Sequence, residues 1–293
     1  MKKSSLFFII FTLLLCSVVF AQKQDKVKLE YDFKVGDYRN YQLKVDGKVE
    51  VAVKPAVGKE LPKNTANMQG AFTYIQEVKE VDGLSKTAKI SVTYSNASMN
   101  TIIGGQVIPN ADVSSLAGKV AVLTVADDGQ VKTYEVPEGL SLSMQNADFS
   151  RQFVEFPKHE LRIGESWFRQ DESANDESEN FSSKHTTSSK YTFLEIVKKG
   201  NYDCAKVSLE SQTNSYTKSK KSKLVLNGVV KGEVSGIIYY DLASGYVVYS
   251  DLRTSLNNKI VTKSTTEKGI AETETGAITT ILETELRTVT ELL

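Results

Sequence analysis

Apolar and polar residues alternate along much of this chain, which is the pattern of β-strands with one buried face. From Tyr41 to Val53 every second residue is apolar or glycine, so this stretch is either one strand or a hairpin that turns at Asp46-Gly47. Two later stretches each have a face of apolar residues: Tyr246, Val248, Leu252, Leu256 and Ile260 in the first, and Ile278, Leu282 and Leu286 in the second. These strands exceed the usual length of about five or six residues. The pattern predicts a mainly all-β protein, with long antiparallel strands in one strongly curved sheet or half-open barrel.

Three stretches of the first half recur in the same order in the second half, so the sheet is predicted to consist of two similar halves. The clearest pair is Tyr74–Val92 and Tyr191–Leu209, each a strand, a turn with one glycine, and a second strand that begins Ala-Lys. The flanking pairs are Phe33–Asp37 with Leu161–Glu165, and Val122–Gly129 with Ile238–Gly245. The alternative is that β-hairpins look alike because they share turn and strand residues. The repeats are assigned to residues 28–136 and 157–293 of a single domain.

Residues 137–156 depart from the alternation and are predicted to form the one main helix, which bridges the two repeats. Leu140, Met144 and Phe149 recur at roughly helical spacing, with Phe153 one turn beyond and Pro157 at the end. The segment is either a core helix that joins two half-sheets or a lid over a ligand cavity.

The composition of two connecting segments predicts their structure. Residues 171–190 are rich in acidic residues, Ser and Thr, and are expected to form a mobile excursion or the solvated tip of a long hairpin. Asn110 is expected to cap a single helical turn that ends near Leu116.

The first 21 residues have the features of an export signal. Lys2 and Lys3 precede an apolar run from Leu6 to Phe20, and Ala21 completes a small-residue cleavage site. The run is short beside the roughly 20 residues of a membrane-spanning helix, so no transmembrane segment is expected in the mature chain. Cys16 is interpreted as part of the apolar run. The mature protein is expected to be periplasmic or secreted, in a bacterium.

Composition argues against several classes of function. The chain has 36 basic and 36 acidic residues, so nothing in its charge favours nucleic acid as a partner. Cys204 is the single cysteine after the leader, and the two histidines, His159 and His185, have no partner at metal-ligand spacing. Nucleophile-elbow and phosphate-loop motifs are absent from the sequence. We therefore predict no catalytic residue, no metal and no cofactor, and do not expect an enzyme.

Several phrases of the chain resemble an uncharacterised family of exported bacterial β-rich proteins, a domain of unknown function. They are Phe33–Asp37, Phe156-Pro157, Gly164–Trp167, Ala205–Val207, Gly236–Asp241 and Ser244-Gly245. The layout is also distantly similar to the periplasmic lipoprotein carriers of the LolA and LppX type. That resemblance implies a half-open barrel whose concave apolar face, covered by helices, holds acyl chains. It implies no catalytic residue.

Two functions follow as expectations. The first is an exported periplasmic or envelope binding protein that carries a lipid or another apolar ligand in the concave face of the sheet. The residues expected to line that site are Leu140, Met144, Phe149, Phe153, Val248, Leu252 and Leu256. The second is a ligand-free structural or protein-interaction module of the cell envelope, in which the helix fills the concavity and strand edges contact an envelope protein.

Overall fold

The computed structural model describes residues 26–55, 58–135, 153–178, 181–221, 224–264 and 277–293, without the side chains of 175–178, 221 and 264. The predicted export signal therefore lies outside the described residues, as does most of the predicted bridging helix. The division into two repeats within one domain stays a prediction.

Strands make up nearly all of the described secondary structure. The strands are β1 (Lys26–Val27), β2 (Tyr38–Pro55), β3 (Asn64–Asp82), β4 (Thr87–Ile103), β5 (Gln106–Pro109), β6 (Val120–Ala126), β7 (Val131–Glu135), β8 (Leu161–Arg162), β9 (Ser166–Ser178), β10 (Phe181–Lys199), β11 (Tyr202–Lys221), β12 (Leu224–Asp241), β13 (Val247–Ser264) and β14 (Ile278–Leu292). One helical turn, α1 (Ala111–Ser114), is capped by the Asn110 side chain, which accepts a hydrogen bond from Val113 N. The all-β prediction and the predicted helical turn are confirmed.

Twelve of these strands form one antiparallel sheet. Its order is β7-β6-β4-β3-β2-β14-β13-β12-β11-β10-β9, with β5 paired to the far part of β4, while β1 and β8 form a separate two-stranded sheet. Strands β2 and β14, from the two ends of the chain, pair at the centre of the sheet. Within the described ranges the order ends at β7 and β9. The predicted long antiparallel strands are confirmed, with lengths up to the 20 residues of β11.

The stretch around Asp46-Gly47 is one continuous strand, β2, and not a hairpin. Gly47 lies opposite Leu286 of β14, and a side chain at Gly47 would collide with both Leu286 and the backbone of Glu285. The absence of a side chain at Gly47 therefore allows β2 and β14 to approach each other closely. The same arrangement recurs at Gly232 of β12, which faces Leu256 of β13. A Cβ added at Gly232 would lie 2.6 Å from the Leu256 Cδ2 atom.

Residues 171–178 and 181–190 are paired strand residues at the far end of β9 and β10. Strands β9 and β10 pair almost to their tips, with Asp171 opposite Thr187 and Ser178 opposite Phe181. Of the two alternatives for this segment, the structure shows the hairpin. Its polar composition suits strands that run far beyond the core.

The buried core lies at one end of the sheet, which we call the packed end. The turns β3–β4, β6–β7, β10–β11 and β12–β13 all lie there because antiparallel neighbours turn alternately at opposite ends. Most of the largest enclosed side chains in the described residues come from the strand portions next to those turns. They include Ile90, Leu123, Phe193, Val207 and Tyr240. We call the face of the sheet that carries them the inner face.

Two extended segments, residues 27–33 and 153–156, cover this core and are called the plug. Tyr31 at its centre donates its backbone N–H to Asp127 O at 2.8 Å, and Asp32 N donates to Ser244 O at 3.2 Å. Asp127 and Ser244 belong to the turns β6–β7 and β12–β13. The plug thus joins turns from opposite halves of the chain.

The prediction of a helix through Phe156 is wrong for the residues that the structure describes. Phe153 to Phe156 form no helix. Instead, Val154 N donates to the Tyr31 hydroxyl at 3.0 Å, and Phe156 N donates to Asp128 O at 2.7 Å. These long-range bonds replace the bonds of a helix. Residues 137–152, with Leu140, lie outside the described residues.

Two of the similar sequence stretches make the same backbone contacts. Gly36 N donates to Val78 O and Val78 N donates to Asp37 O, both at 2.9 Å. Gly164 N donates to Phe193 O at 2.7 Å, and Phe193 N donates to Glu165 O at 2.9 Å. Val78 and Phe193 each precede an irregularity in the pairing of their strand. The two short motifs, Gly36-Asp37 and Gly164-Glu165, therefore make the same backbone contacts with equivalent hairpins.

In the described part of the chain, no helix has both the length and the apolar character that a membrane-spanning helix needs.

Candidate functional site

A cavity of about 290 Å³ lies beside the plug, on the inner face of the sheet. Six of its lining side chains are aromatic. They are Tyr31, Tyr41, Tyr74, Phe153, Tyr240 and Tyr246. We call it the tyrosine cavity. Its volume is at the lower end of the range of about 300–1,000 Å³ found for small-molecule sites, which fits a molecule of about one ring.

The aromatic rings hold one another in place. Tyr41 and Tyr74 are stacked with centroids 5.1 Å apart. Tyr31 meets Phe153 edge-on at 5.4 Å and Tyr246 edge-on at 5.7 Å. Such pairs contribute roughly 0.5–1.5 kcal/mol beyond their buried area. The wall of the cavity is therefore preorganised.

The lining contains no Asp, Glu, Lys, Arg or His among the described residues. Its polar groups are neutral and come from Gln76, Ser250, Thr288 and Thr290, besides the tyrosines. A buried charge without a partner is costly to desolvate. The lining therefore favours an uncharged occupant.

The hydroxyl of Tyr240 is the unusual group of this cavity. Tyr240 is fully enclosed, and within the described ranges its hydroxyl oxygen has no hydrogen-bond partner. Buried hydroxyls normally have a partner, and one left unpaired costs about 1–3 kcal/mol. The ring itself is fixed edge-on against Phe156, with centroids 5.1 Å apart.

Burial keeps the cavity hydroxyls protonated. Desolvation raises the pKa of Tyr240 well above its usual value, and it does the same for Tyr41. The pKa values of Tyr31, Tyr74 and Tyr246 are also raised, again mainly by burial. Each side chain therefore stays a neutral hydroxyl that can donate a hydrogen bond.

Four of the seven predicted site residues lie in the described part of the chain, and the structure brings two of these four together. Phe153 and Leu252 both line the tyrosine cavity. Val248 is buried but lines a neighbouring pocket instead. Leu256 lies roughly 13 Å further along β13 at the rise of a strand, packed over Gly232. Leu140, Met144 and Phe149 lie outside the described residues, so the predicted site stays a prediction.

Sequence reasoning missed the tyrosines that form the wall. A signal was present, because Tyr240 and Tyr246 flank the turn at Gly245 and Tyr74 lies shortly before the turn at Gly83. Residues near turns at the same end of an antiparallel sheet come together. Tyr31 carried no comparable signal, because its position depends on the path of the plug.

The described part of the chain holds no candidate metal site. No group of three or more His, Cys, Asp or Glu side chains there has the geometry to hold a metal ion. Cys204 is buried, and desolvation raises the pKa of its thiol to about 11. His159 Nε2 lies 2.8 Å from Glu165 Oε1 on the surface. This contact and the Arg162 N–H lower the pKa of the Glu165 carboxyl.

No protein-family model matches the chain, and no curated protein matches it. A search of solved structures finds Pseudomonas aeruginosa OccK5 (OpdH), 6% identical over 87% of this chain and 98% of that one, with a TM-score of 0.24. P. aeruginosa OccK2 (OpdF), in complex with glucuronate, is 7% identical over 88% and 97%, with a TM-score of 0.23. The outer membrane protease OmpT of Escherichia coli is 8% identical over 91% and 99%, with a TM-score of 0.15.

These findings correct the expected resemblance. The neighbours are outer-membrane β-barrel porins and a protease, not periplasmic lipoprotein carriers of the LolA and LppX type. The resemblance to carriers is therefore wrong, and so is the resemblance to an uncharacterised family of exported β-rich proteins, since no family model matches the chain. The functions expected from the sequence, an exported envelope protein that carries a lipid or another apolar ligand and a ligand-free envelope module, are contradicted by the same findings. At TM-scores of 0.15 to 0.24 the neighbours themselves assign no function to this chain.

Proposed function

We propose that this protein binds a small uncharged molecule, about one ring in size and with a hydrogen-bond acceptor, in the tyrosine cavity. The observation that carries the proposal is the fully enclosed Tyr240 hydroxyl without a partner, at the wall of a 290 Å³ cavity. An acceptor on the bound molecule would accept a hydrogen bond from that hydroxyl once the side chains that enclose it have shifted to open it to the cavity. The desolvation cost of the hydroxyl in the empty protein would then be recovered on binding.

The shape and charge of the cavity narrow the ligand class. Stacked and edge-on rings around Tyr31 and Tyr41 favour a flat molecule. The uncharged lining disfavours carboxylates, phosphates and ammonium groups. An acyl chain is not the proposed ligand, because the cavity is short and its distinguishing group is a polar hydroxyl.

Acetophenone is a suitable probe. Ethylbenzene is the control of similar size that lacks a hydrogen-bond acceptor, and benzoate is the charged control. We expect acetophenone to bind and Tyr240→Phe to weaken its affinity about tenfold, the loss of one hydrogen bond of about 1.4 kcal/mol. Ethylbenzene should bind the protein and the variant equally. Isothermal titration calorimetry measures all three affinities.

Tyr240→Phe is expected to weaken ligand binding but not to destabilise the empty protein. Because Tyr240→Phe removes an unpartnered buried hydroxyl, we expect it to leave the free energy of unfolding unchanged or to raise it by about 1 kcal/mol. Tyr216→Phe, at a tyrosine that is 45% exposed, is the matched control and should change neither quantity. Acetophenone affinity that Tyr240→Phe leaves intact would contradict the proposal, as would failure of acetophenone to bind.

The proposal is one of binding without catalysis, outside the cytoplasm. It keeps two expectations from the sequence, a non-enzymatic protein and an export signal that ends at Ala21. Recovery of chemically unchanged acetophenone after long incubation with the protein would agree with the first. A mature N-terminus at Gln22, read by protein sequencing of the cell-envelope fraction, would agree with the second.

A further inference from the structure

A shallow groove runs across the strands on the outer face of the sheet, the face opposite the core. Two neighbouring cavities, of about 660 and 490 Å³, lie in it and share Glu233 and Ser235. We call it the transverse groove. It crosses the strands β9, β10, β11, β12, β13, β14 and β2. At about 4.8 Å between neighbouring strands, it measures roughly 29 Å along the sheet.

Two rows of side chains form the walls of this groove, because residues opposite each other on antiparallel strands lie on the same face. The first wall, from β9 to β2, is Phe168, Lys190, Glu210, Ser235, Arg253, Arg287 and Asp46. The second wall is Gln170, Ser188, Gln212, Glu233, Ser255, Glu285 and Lys48. Every member of both walls is exposed, whereas Ser189 and Ser211, between the walls, are buried on the inner face.

The walls carry neutral hydrogen-bonding groups at intervals along the groove. Each serine lies between two longer side chains of its own wall, so the wall is low there. Serine hydroxyls and glutamine amides both donate and accept hydrogen bonds. These groups are Ser188, Ser235 and Ser255 with Gln170 and Gln212. The groove therefore suits a long ligand that has many uncharged polar groups.

The charges of the two walls balance. Their basic side chains are Lys190, Arg253, Arg287 and Lys48, and their acidic ones are Glu210, Glu233, Glu285 and Asp46. Arg287 is already paired, 2.7 Å from the Asp251 carboxylate on the same face. A polyanion such as nucleic acid would meet carboxylates in both walls. The balance therefore favours an uncharged ligand.

Phe168 provides an aromatic surface at the β9 end of the groove. Its side chain is 75% exposed, whereas its neighbour Trp167 is buried on the inner face. An exposed aromatic ring among polar side chains suits stacking against a flat, partly apolar surface. A sugar ring has such a surface, formed by its C–H groups, and hydroxyl groups around its rim.

We infer that the transverse groove binds a neutral linear oligosaccharide of N-acetylated sugars. One sugar ring stacks on Phe168, and the hydroxyl groups bond to the serines and charged side chains of the walls. The acetamido groups bond to Gln170 and Gln212, whose amides have the same donor and acceptor groups. An acyl chain would leave these polar walls without partners. The inference is independent of the ligand in the tyrosine cavity, which lies on the inner face.

Titration calorimetry with chitohexaose, the linear hexamer of N-acetylglucosamine, tests this assignment on the unaltered protein. Cellohexaose has the same linkage without acetamido groups, and chitobiose is too short to fill the groove. We expect chitohexaose to bind, cellohexaose to bind about fivefold more weakly, and chitobiose at least about tenfold more weakly. Failure of chitohexaose to bind would overturn the assignment. So would a neutral Ser-Gly hexapeptide that binds as tightly, since it would assign the groove to protein chains.

Variants at exposed positions locate the site without disturbing the core. Phe168→Ala should weaken chitohexaose binding about fivefold, whereas Phe168→Tyr should preserve it, because only the first removes the stacking ring. Gln212→Ala should also weaken it about fivefold. Tyr216→Ala, at a 45% exposed aromatic residue on the same face outside the groove, is the matched control. Equal binding by Phe168→Ala and the unaltered protein would refute the location.

Discussion

Replacement of Tyr31 by alanine is expected to lower the free energy of unfolding by about 3–5 kcal/mol, the range for removing a large aromatic side chain from a core. Tyr31 is 4% exposed and lies at the centre of the plug. Its ring contacts Phe33, Phe156 and Tyr246 with centroids 5.1 to 5.7 Å away. Few positions in the chain connect as many separate segments.

Comparison of Tyr31→Phe with Tyr31→Ala separates the contribution of the hydroxyl's hydrogen bond from that of the packed ring. The hydroxyl accepts the Val154 N–H at 3.0 Å, so its removal leaves a buried donor unpaired and should cost about 1–2 kcal/mol. Tyr216→Ala, at a half-exposed tyrosine, should stay within about 0.5 kcal/mol. Denaturant unfolding followed by fluorescence measures all three. A loss below about 1 kcal/mol for Tyr31→Ala would show that the plug does not stabilise the packed end.

Gly245→Ala is expected to be nearly as damaging, at about 3–5 kcal/mol, for two physical reasons that add. Gly245 has a φ of +74°, which is unfavourable for any residue with a Cβ. A Cβ there would also collide with the carbonyl oxygen of Glu30 and lie 3.1 Å from the Tyr31 Cα. Since both are backbone atoms, the plug itself must move.

Gly200→Ala is the matched control for the collision between the added Cβ and the plug. Gly200 also has a positive φ, +60°, but a Cβ there would meet no atom within 4 Å. It should therefore cost only about 1–2 kcal/mol, the conformational part. Thermal and denaturant unfolding of the two variants give the difference, which measures the contact between turn and plug. Equal losses would show that the close approach of Gly245 to Glu30 carries no energy.

Sequence alone determined much of the sheet. Period-two alternation in β2, β13 and β14 identifies strands with one buried face, and turn residues locate most hairpins, because these signals are local. The single turn α1 was readable for the same reason, since Asn110 caps it through its own side chain. The strand through Gly47 was ambiguous, because glycine is compatible with both a turn and a close approach to Leu286.

The candidate site was mostly invisible to sequence reasoning. Phe153 and Leu252 were identified from periodicity, and both line the tyrosine cavity. The property that distinguishes the cavity, the unpartnered hydroxyl of Tyr240, depends on what lies around one atom in three dimensions. No local pattern encodes it.

Local sequence therefore determined that the chain forms long, one-sided antiparallel strands, because alternation and turn chemistry act between near neighbours. Tertiary structure alone decided the path of the plug. Phe153 and Phe156 have a spacing that suits a helix, yet Val154 N donates to the Tyr31 hydroxyl and Phe156 N donates to Asp128 O instead. Those partners are far away in sequence, and their bonds exist only once the turns of both halves have met. The tyrosine cavity is a consequence of that meeting.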